Sequence, residues 1–204
     1  MRIGAPDGFG SQFLAPRLVK FAERYPDLDL QLVATARLFS LSKREADIAI
    51  SLTMPKEGRV FGRKLLDYSL GLYAAPAYLD RAPAISGRSD LAAHRFVGYI
   101  EELLFTPELD YLPQVSPKIS AKFRSANLIA QLNATIAGFG IAVLPHFMAA
   151  AHPELRAVLP GEVTISRTFW LLMHADSKDL ARIRAVADYI YETVENERAL
   201  FSGR

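Results

Sequence analysis

The sequence predicts an α/β protein made of two Rossmann-like subdomains that are joined by two crossing strands. Three observations predict this fold class. Strand-like and helix-like segments alternate through the first half of the chain, which is typical of parallel α/β sheets. Two long strand-like segments, 65–75 and 168–175, enclose a complete second set of elements. Half of the 204 residues are hydrophobic, which is enough to bury a proper core.

The first half of the chain is predicted to form alternating strands and helices. In order, these are a strand at 2–4, a loop at 5–10, a helix from Ser11 or Gln12 to Arg24, a strand over 28–32, a short helix at 39–44 and a strand at 46–51. Strands separated by helices run parallel, and parallel sheets bind ligands beyond the carboxyl ends of their strands. We therefore expect the loops 5–11, 34–37 and 51–55 to share one edge.

Residues 125–145 contain the clearest change of periodicity in the sequence. Apolar residues at helical spacing give way to an unbroken apolar segment, 141–144, which Pro145 ends. Ser125 and Asn127 are good N-cap residues, so the free amides at the start of this helix face whatever precedes it. Such a helix start can hold an anion or a carboxylate.

The turn and the remaining elements complete the predicted second half. Gly138 and Gly140 suit the turn after the helix, because glycine adopts positive φ without a Cβ clash. Strands are predicted at 96–100 and 119–124, with an ordered loop at 106–117 between them. The last helix, at 178–197, is predicted to bury one face, formed by Leu180, Ile183, Val186, Ile190 and Val194.

Composition and charge exclude several function classes. The 24 basic and 22 acidic residues are scattered, which gives a net charge of +2 and no basic stripe for nucleic acid. The chain has no cysteine, so we expect neither disulfides nor a thiolate catalyst. No apolar run reaches the roughly 18–20 residues of a membrane span, and the N-terminus lacks a signal-peptide pattern. We expect a cytoplasmic protein without membrane contact that does not bind DNA through this chain alone.

The sequence lacks the motifs of catalysis and of cofactor binding. His146 and His152 lie six residues apart around a short helix, which is a poor geometry for sharing a metal. There is no nucleophile elbow and no P-loop. Neither Gly8-Phe9-Gly10 nor Gly138-Phe139-Gly140 has the third glycine of a dinucleotide loop. We therefore expect no catalytic residue, no metal site and no cofactor, and we expect the chain not to be an enzyme.

Three segments carry a resemblance to a known family. They are Arg2-Ile3-Gly4 with the apolar residues of 13–26, the strand-like run from Arg44 to Ser51, and the helix, Gly-x-Gly-Ile turn, short strand and proline of 125–145. Each motif is degenerate, but their order and spacing extend over nearly the whole chain. Together they resemble the effector-binding domain of the LysR-type transcriptional regulators.

The resemblance implies a fold similar to that of the type 2 periplasmic binding proteins, with a small-molecule effector in the cleft between the subdomains. It implies subdomain I at 1–71 and 172–204, and subdomain II at 72–171. It also implies that the family's N-terminal winged helix-turn-helix domain is absent from this chain, and that DNA is bound only through that domain. We expect a homodimer that uses the first helix, Leu14 to Tyr25, and a tetramer of the full-length protein.

Candidate ligand-binding residues follow from the predicted strand ends and the resemblance. Subdomain I contributes residues after its first three strands, namely Asp7, Gly8, Phe9, Ser11, Thr35, Ser51 and Leu52. Subdomain II contributes the end of one strand and the start of a helix, namely Tyr99, Glu101, Ser125 and Asn127. Ser11 has two interpretations, a helix cap that faces the ligand or a cap without a ligand role.

Two of these candidates bear on the chemistry of the effector. Asp7 disfavours a simple carboxylate ligand, unless its side chain points away from the pocket. Asp7 and Glu101 together, if both face inward, favour a cationic or polyhydroxylated effector.

An alternative function is a solute-binding protein of a transport system, which shares the two-subdomain plan. A small α/β enzyme is a third possibility, but it needs a nucleophile or an acid–base pair that the sequence does not offer.

Overall fold

The computed structural model describes residues 1–37, 39, 41, 44–55 and 58–203. The chain divides into two compact units. The first unit comprises Met1–Asp67 and Thr168–Ala199, and the second comprises Tyr68–Arg167 with the C-terminal residues from Leu200 onward.

The boundaries of these units differ slightly from the predicted ones. The chain passes between the units at 67–68 and 167–168, four residues before the predicted positions 71–72 and 171–172. The residues from Leu200 onward belong to the second unit, not to subdomain I as predicted. Contacts explain the difference, because Ser69 Oγ donates to the Phe201 carbonyl at 3.2 Å and the Phe201 ring packs 4.9 Å from that of Phe147.

The described residues form nine strands, two of which carry the chain between the units. The strands are β1 (Arg2–Ala5), β2 (Gln31–Ala34), β3 (Ile48–Ser51), β4 (Val60–Ala74), β5 (Phe96–Gly98), β6 (Ala121–Arg124), β7 (Ile141–Pro145), β8 (Arg156–Val158) and β9 (Ile165–His174). The connecting strands are β4, with 15 residues, and β9, with 10. They correspond to the two long strands of the prediction, whereas β8 has no predicted counterpart.

Six α-helices and several shorter turns occur among the same residues. The helices are α1 (Ala15–Arg24), α2 (Pro76–Leu79), α3 (Leu112–Val115), α4 (Leu128–Ile136), α5 (His146–Ala149) and α6 (Ala181–Asn196). A π-helical segment, Phe9–Leu14, precedes α1 directly, and 3-10 turns lie at Arg88–Ala93, Glu101–Leu103, Pro107–Leu109 and Arg198–Phe201. Within the described ranges, no helix is long and apolar enough to cross a membrane.

The sheet of the first unit is built around β1. This strand pairs in parallel with β2, where Ala5 lies opposite Ala34, and with β3, where Gly4 lies opposite Ala49. The predicted parallel arrangement of the first three strands is therefore confirmed. Strand β9 then pairs with β3 in the antiparallel direction, so the sheet as a whole is mixed.

Helix α6 covers the core of the first unit with the predicted face. Ile183, Val186, Ile190 and Val194 are fully buried, and each such side chain contributes about 1.5–3 kcal/mol through burial. Leu180 was also predicted on this face, but it is 43% exposed. It precedes the first helical residue with extended backbone, so it does not share the helical periodicity.

The sheet of the second unit is built around β7. This strand pairs in parallel with β5 and antiparallel with the later part of β4, and β5 pairs in parallel with β6. Strand β8 adds to β4 in the antiparallel direction. Phe96, Leu132 and Leu144 are fully buried, which places the core between the sheet and α4.

The two glycines after α4 have different reasons to be glycine. Gly138 has φ of 78°, the left-handed conformation that the turn requires. The same reason was predicted for Gly140, and that prediction is wrong. A Cβ on Gly140 would collide with the carbonyl oxygen of Arg95, so the constraint there is close backbone approach.

Several element boundaries differ from the predictions. β2 begins at Gln31 rather than at residue 28, β5 ends at Gly98 rather than at Ile100, and the predicted ordered loop 106–117 contains a 3-10 turn and α3. β2 cannot pair much earlier because Gln31 already lies opposite Arg2, the first residue of β1. Of the short helix predicted at 39–44, residues 40, 42 and 43 lie outside the described residues.

Candidate functional site

The predicted residues of the first unit meet at the carboxyl edge of its parallel strands. The backbone N–H of Thr35, which follows β2, donates to the carbonyl of Ala5 at the end of β1 at 3.1 Å. Ser51 is the last residue of β3, and β3 pairs with β1 from Ile48, which lies opposite Ile3. The expected shared edge is therefore present, and it brings together the starts of three loops.

The segment after β1 is helical much earlier than predicted. Helical backbone begins at Asp7, and the π-helical segment starts at Phe9. Gly10 explains the early turn, because its N–H donates to the Pro6 carbonyl at 2.8 Å and an added Cβ would lie 2.7 Å from the Ala34 Cβ. The expected loop at 5–10 is wrong for this reason.

The early helix changes the interpretation of Ser11 and Phe9. Ser11 is exposed inside the π-helical segment, which has no side-chain cap, so the prediction that Ser11 caps the first helix is wrong. Phe9 is 1% exposed. The centroid of its ring lies 5.2 Å from that of the Phe13 ring and 4.7 Å from that of the Phe169 ring. A ligand at this position could reach the backbone of Phe9 but not its ring.

The other candidates of the first unit are largely buried. Asp7 is 5% exposed, and Ser51 and Leu52 are 7% and 6% exposed. The Ser51 hydroxyl accepts a hydrogen bond from the Thr53 backbone at 3.2 Å, which leaves its own proton for another partner. Thr35 is half-buried and so is more accessible to a ligand than Asp7, Ser51 and Leu52.

In the second unit, Ser125 and Asn127 lie at one connected helix start. The Ser125 N–H donates to the Gly98 carbonyl at 3.0 Å, so the ends of β5 and β6 lie side by side. Ser125 Oγ accepts from the Asn127 N–H at 3.1 Å, and Asn127 Oδ1 accepts from the Ala130 N–H at 2.9 Å. Asn127 is thus the N-cap of α4, as predicted, and Ser125 supports it.

Tyr99 and Glu101 open into a pocket that lies wholly within the second unit. The pocket has a volume of about 150 Å³ and is partly open to solvent. Glu101 was predicted at a strand end, but it begins a 3-10 turn after β5 has ended. The lining comprises Val97, Gly98, Tyr99, Glu101, Leu104, Leu109, Asp110, Tyr111, Leu112, Pro113, Ile119, Ser120, Ala121, Gln131 and Val143.

Four polar residues of this pocket were missed from the sequence, namely Asp110, Tyr111, Ser120 and Gln131. Asp110 and Tyr111 lie in the proline-containing segment that was predicted to be an ordered loop. Gln131 lies on α4, is 2% exposed and donates through Nε2 to the Ser125 carbonyl at 3.0 Å. The one available signal was Gln131 itself, a polar side chain beside the apolar stripe of the predicted helix.

Aromatic rings and negative charge characterise the pocket. The rings of Tyr99 and Tyr111 meet edge to face, with centroids 6.0 Å apart. Tyr68 adjoins them and is 3% exposed, and its burial, with Tyr111 and Tyr99 nearby, raises its pKa well above the usual range. The charged side chains of the lining are the carboxylates of Glu101 and Asp110.

Two histidines near α5, His146 and His152, contact other side chains. The described residues contain no group of three or more His, Cys, Asp or Glu side chains that could hold a metal ion. His146 is engaged instead with Tyr73, whose hydroxyl lies 2.5 Å from its Nδ1, and burial lowers the pKa of His146. His152 lies 3.6 Å from the carboxylate of Glu154.

Comparisons with known proteins agree on one family. The family described as "LysR substrate binding domain" matches residues 1–195. The chain is 28% identical to the HTH-type transcriptional regulator CrgA of Neisseria meningitidis, over 90% of this chain and 63% of that protein. It is 27% identical to a glycine cleavage system transcriptional activator homolog of Haemophilus influenzae, over 97% of this chain and 66% of that protein. The chain therefore spans just under two thirds of the length of these relatives.

Solved structures show the same fold. The regulatory domain of CrgA from Neisseria meningitidis has a TM-score of 0.83 and 25% identity, covering 94% of this chain and 97% of that one. The effector domain of AmpR from Pseudomonas aeruginosa has a TM-score of 0.76 at 20% identity, covering 98% of this chain and 97% of that one. The second likeness bears on the fold alone. Together they confirm the predicted α/β fold class.

Proposed function

Because this chain belongs to the LysR substrate-binding domain family, we propose that it senses a small-molecule effector on behalf of a DNA-binding transcriptional regulator. The observation that carries the proposal is the family match over residues 1–195, supported by relatives that are themselves transcriptional regulators. Domains of this family are regulatory rather than catalytic, so the expectation that the chain is not an enzyme is confirmed.

The proposed effector contacts are the residues predicted at the strand and helix ends. They are Asp7, Gly8, the backbone of Phe9, Ser11, Thr35, Ser51 and Leu52 in the first unit, and Tyr99, Glu101, Ser125 and Asn127 in the second. The shared edge of β1, β2 and β3 supports the first group, because ligands of parallel sheets bind beyond the carboxyl ends of the strands. In the second group, the hydrogen bond from the Asn127 N–H to Ser125 Oγ supports the helix start, and the shared pocket lining supports Tyr99 and Glu101.

Effector binding is proposed to act through the oligomer. A ligand changes the balance between two states of a protein only through its different affinity for each. We propose that this domain forms a homodimer, and a tetramer in the full-length regulator. In this proposal, DNA is bound only by a domain outside this sequence, and the regulator works in the cytoplasm.

The DNA affinity of the full-length regulator tests this function. With its cognate promoter fragment, a small molecule that binds this domain should change the affinity for DNA about 5- to 150-fold. By reciprocity, the same DNA fragment should change the affinity for the small molecule by the same factor. A solute-binding protein of a transport system would bind the small molecule with no such coupling, and that result would favour the alternative function.

A further inference from the structure

We propose that the pocket of the second unit selects a small organic cation, an amine carried on an apolar body. This inference rests on the proposed function, since it names the chemical class of the effector that the domain senses. It is carried by three features of the pocket, which are its buried apolar walls, its unbalanced negative charge and its aromatic rings.

The walls of the pocket suit the apolar body of a ligand. Val97, Leu109 and Val143 are 1%, 5% and 3% exposed and form part of the lining. Small-molecule sites are mostly apolar with a few polar groups that fix orientation, and the lining of this pocket combines these two kinds of residue. Removing an apolar ligand body from water here is favourable.

The charge of the pocket favours a cation. Glu101 and Asp110 both line it, and neither forms an ion pair with a described lysine, arginine or histidine. The lining, as far as the chain is described, contains no basic side chain. A carboxylate ligand would therefore meet two negative charges in the lining, whereas an ammonium would be attracted by both. The guanidinium of Arg167 lies outside the lining and is held against the Tyr111 ring and by the Glu108 carbonyl.

The aromatic rings add to this preference. A cation gains electrostatic energy over the face of a tyrosine ring. Tyr111 already holds one, because the guanidinium carbon of Arg167 lies 5.4 Å from its ring centroid. Tyr99 is partly exposed in the same lining and offers a second ring to a ligand.

The buried amide of Gln131 fits the same ligand class. Its Nε2 donates one of its two hydrogens to the Ser125 carbonyl, so one N–H and the carbonyl oxygen remain, and the oxygen is an acceptor. An ammonium carries three N–H donors and no acceptor. Carboxylates, a tyrosine ring and an amide oxygen are all groups to which an ammonium can bind.

Isothermal titration of the 204-residue protein tests the proposal with matched probes. The probes are phenethylamine, phenethyl alcohol and hydrocinnamate, which share a benzene ring and differ in charge, with benzylamine and butylamine as further amines. We expect at least one amine to bind about tenfold more tightly than the alcohol, and the acid to bind more weakly still. Glu101→Gln and Asp110→Asn should each weaken amine binding about fivefold.

The control variant is Glu102→Gln. Glu102 is exposed, as Glu101 is, but it does not line the pocket, so its neutralisation should change the affinity less than twofold. Three results would each overturn the proposal. The acid or the alcohol could bind as tightly as the amines or more tightly, no amine could bind, or the amine affinity could be unchanged in both pocket variants. The proposed function has a separate test, because an acid that binds and alters DNA affinity would sustain the function while overturning the amine preference.

Discussion

At the scale of single residues, His94 shows how burial fixes a protonation state. The side chain is 8% exposed, and its Nδ1 lies 3.1 Å from the hydroxyl of Tyr78. That hydroxyl accepts the backbone N–H of Arg95 at 3.0 Å, and its own proton can be donated to Nδ1. Burial lowers the pKa of His94, and the carboxylate of Asp90 opposes the shift only partly. The fold therefore holds His94 neutral.

We expect this residue to make the domain sensitive to acid. Because the pKa of His94 is lower in the folded than in the unfolded state, the folded state binds fewer protons. His94 therefore does not lower the free energy of unfolding above its unfolded pKa of about 6.5. It lowers that free energy as the pH falls below this value and through the folded pKa. His94→Gln should reduce the fall in the free energy of unfolding between about pH 8 and pH 5, measured by urea titration.

The matched control for this prediction is His174→Gln. His174 is partly exposed at the end of β9, so its replacement should leave most of the pH dependence in place. A pH dependence in His94→Gln that equals that of the unaltered protein would contradict the role assigned to burial.

At the scale of elements, the turn between α4 and β7 distinguishes two kinds of glycine. We expect Gly140→Ala to lower the free energy of unfolding by more than about 2 kcal/mol, because the new Cβ would collide with the Arg95 carbonyl. That carbonyl also accepts the Ile141 N–H at 2.9 Å, so the clash falls on a bonded group. Urea unfolding at one pH measures the change.

Gly138→Ala is the matched comparison. At Gly138 the nearest atom to an added Cβ lies 3.7 Å away, and only the positive φ of 78° opposes the substitution. The expected cost is about 1 kcal/mol. If Gly140→Ala cost no more than Gly138→Ala, close backbone approach would not be the constraint at Gly140.

The exposed face of α1 bears on the proposed dimer. Val19 on α1 and Tyr25, which follows the last helical residue, are 56% and 38% exposed, although both are large and hydrophobic. If the dimer uses this helix, Val19→Lys should raise its dissociation constant at least about tenfold, because a charge would be buried in the interface. Leu180→Lys is the control, since Leu180 is equally apolar and 43% exposed but lies outside α1.

Analytical ultracentrifugation over a range of protein concentrations measures both variants. A strictly monomeric unaltered protein at high concentration would contradict the proposed dimer. Equal weakening by Val19→Lys and Leu180→Lys would contradict the use of α1.

Local sequence patterns predicted the features that depend on residues close together in the chain. The α6 face and the Asn127 cap depend on residues close in sequence, so periodicity and capping rules identified them. The start of the first helix depends instead on Gly10 fitting against Ala34, a contact between segments 24 residues apart (34 minus 10). The start of β2 depends on its register with β1. Neither contact leaves a signal in the local sequence.

At the scale of the whole molecule, the candidate site was predictable where the topology alone determines it. Parallel strands bring their carboxyl ends to one edge whatever their side chains are, so Thr35 and Ser51 could be assigned to that edge. The second-unit pocket depends on how the segment around Asp110 and Tyr111 folds over β5. That segment has three prolines and no periodicity, so its contribution could not be predicted.

Thermal unfolding with a panel of small molecules tests the central claim, that this domain binds an effector, most directly. The panel comprises organic acids, aromatic acids, amino acids, sugars and polyamines. At a hundredfold excess over its dissociation constant, an effector should stabilise the domain by about 2.7 kcal/mol, a rise in Tm of about 5–11 °C. Glu101→Gln and Ser125→Ala, at proposed contacts in the second unit, should lower that rise, and Ser89→Ala, at an exposed serine, should keep it. No rise with any class, or a full rise in both site variants, would contradict the account.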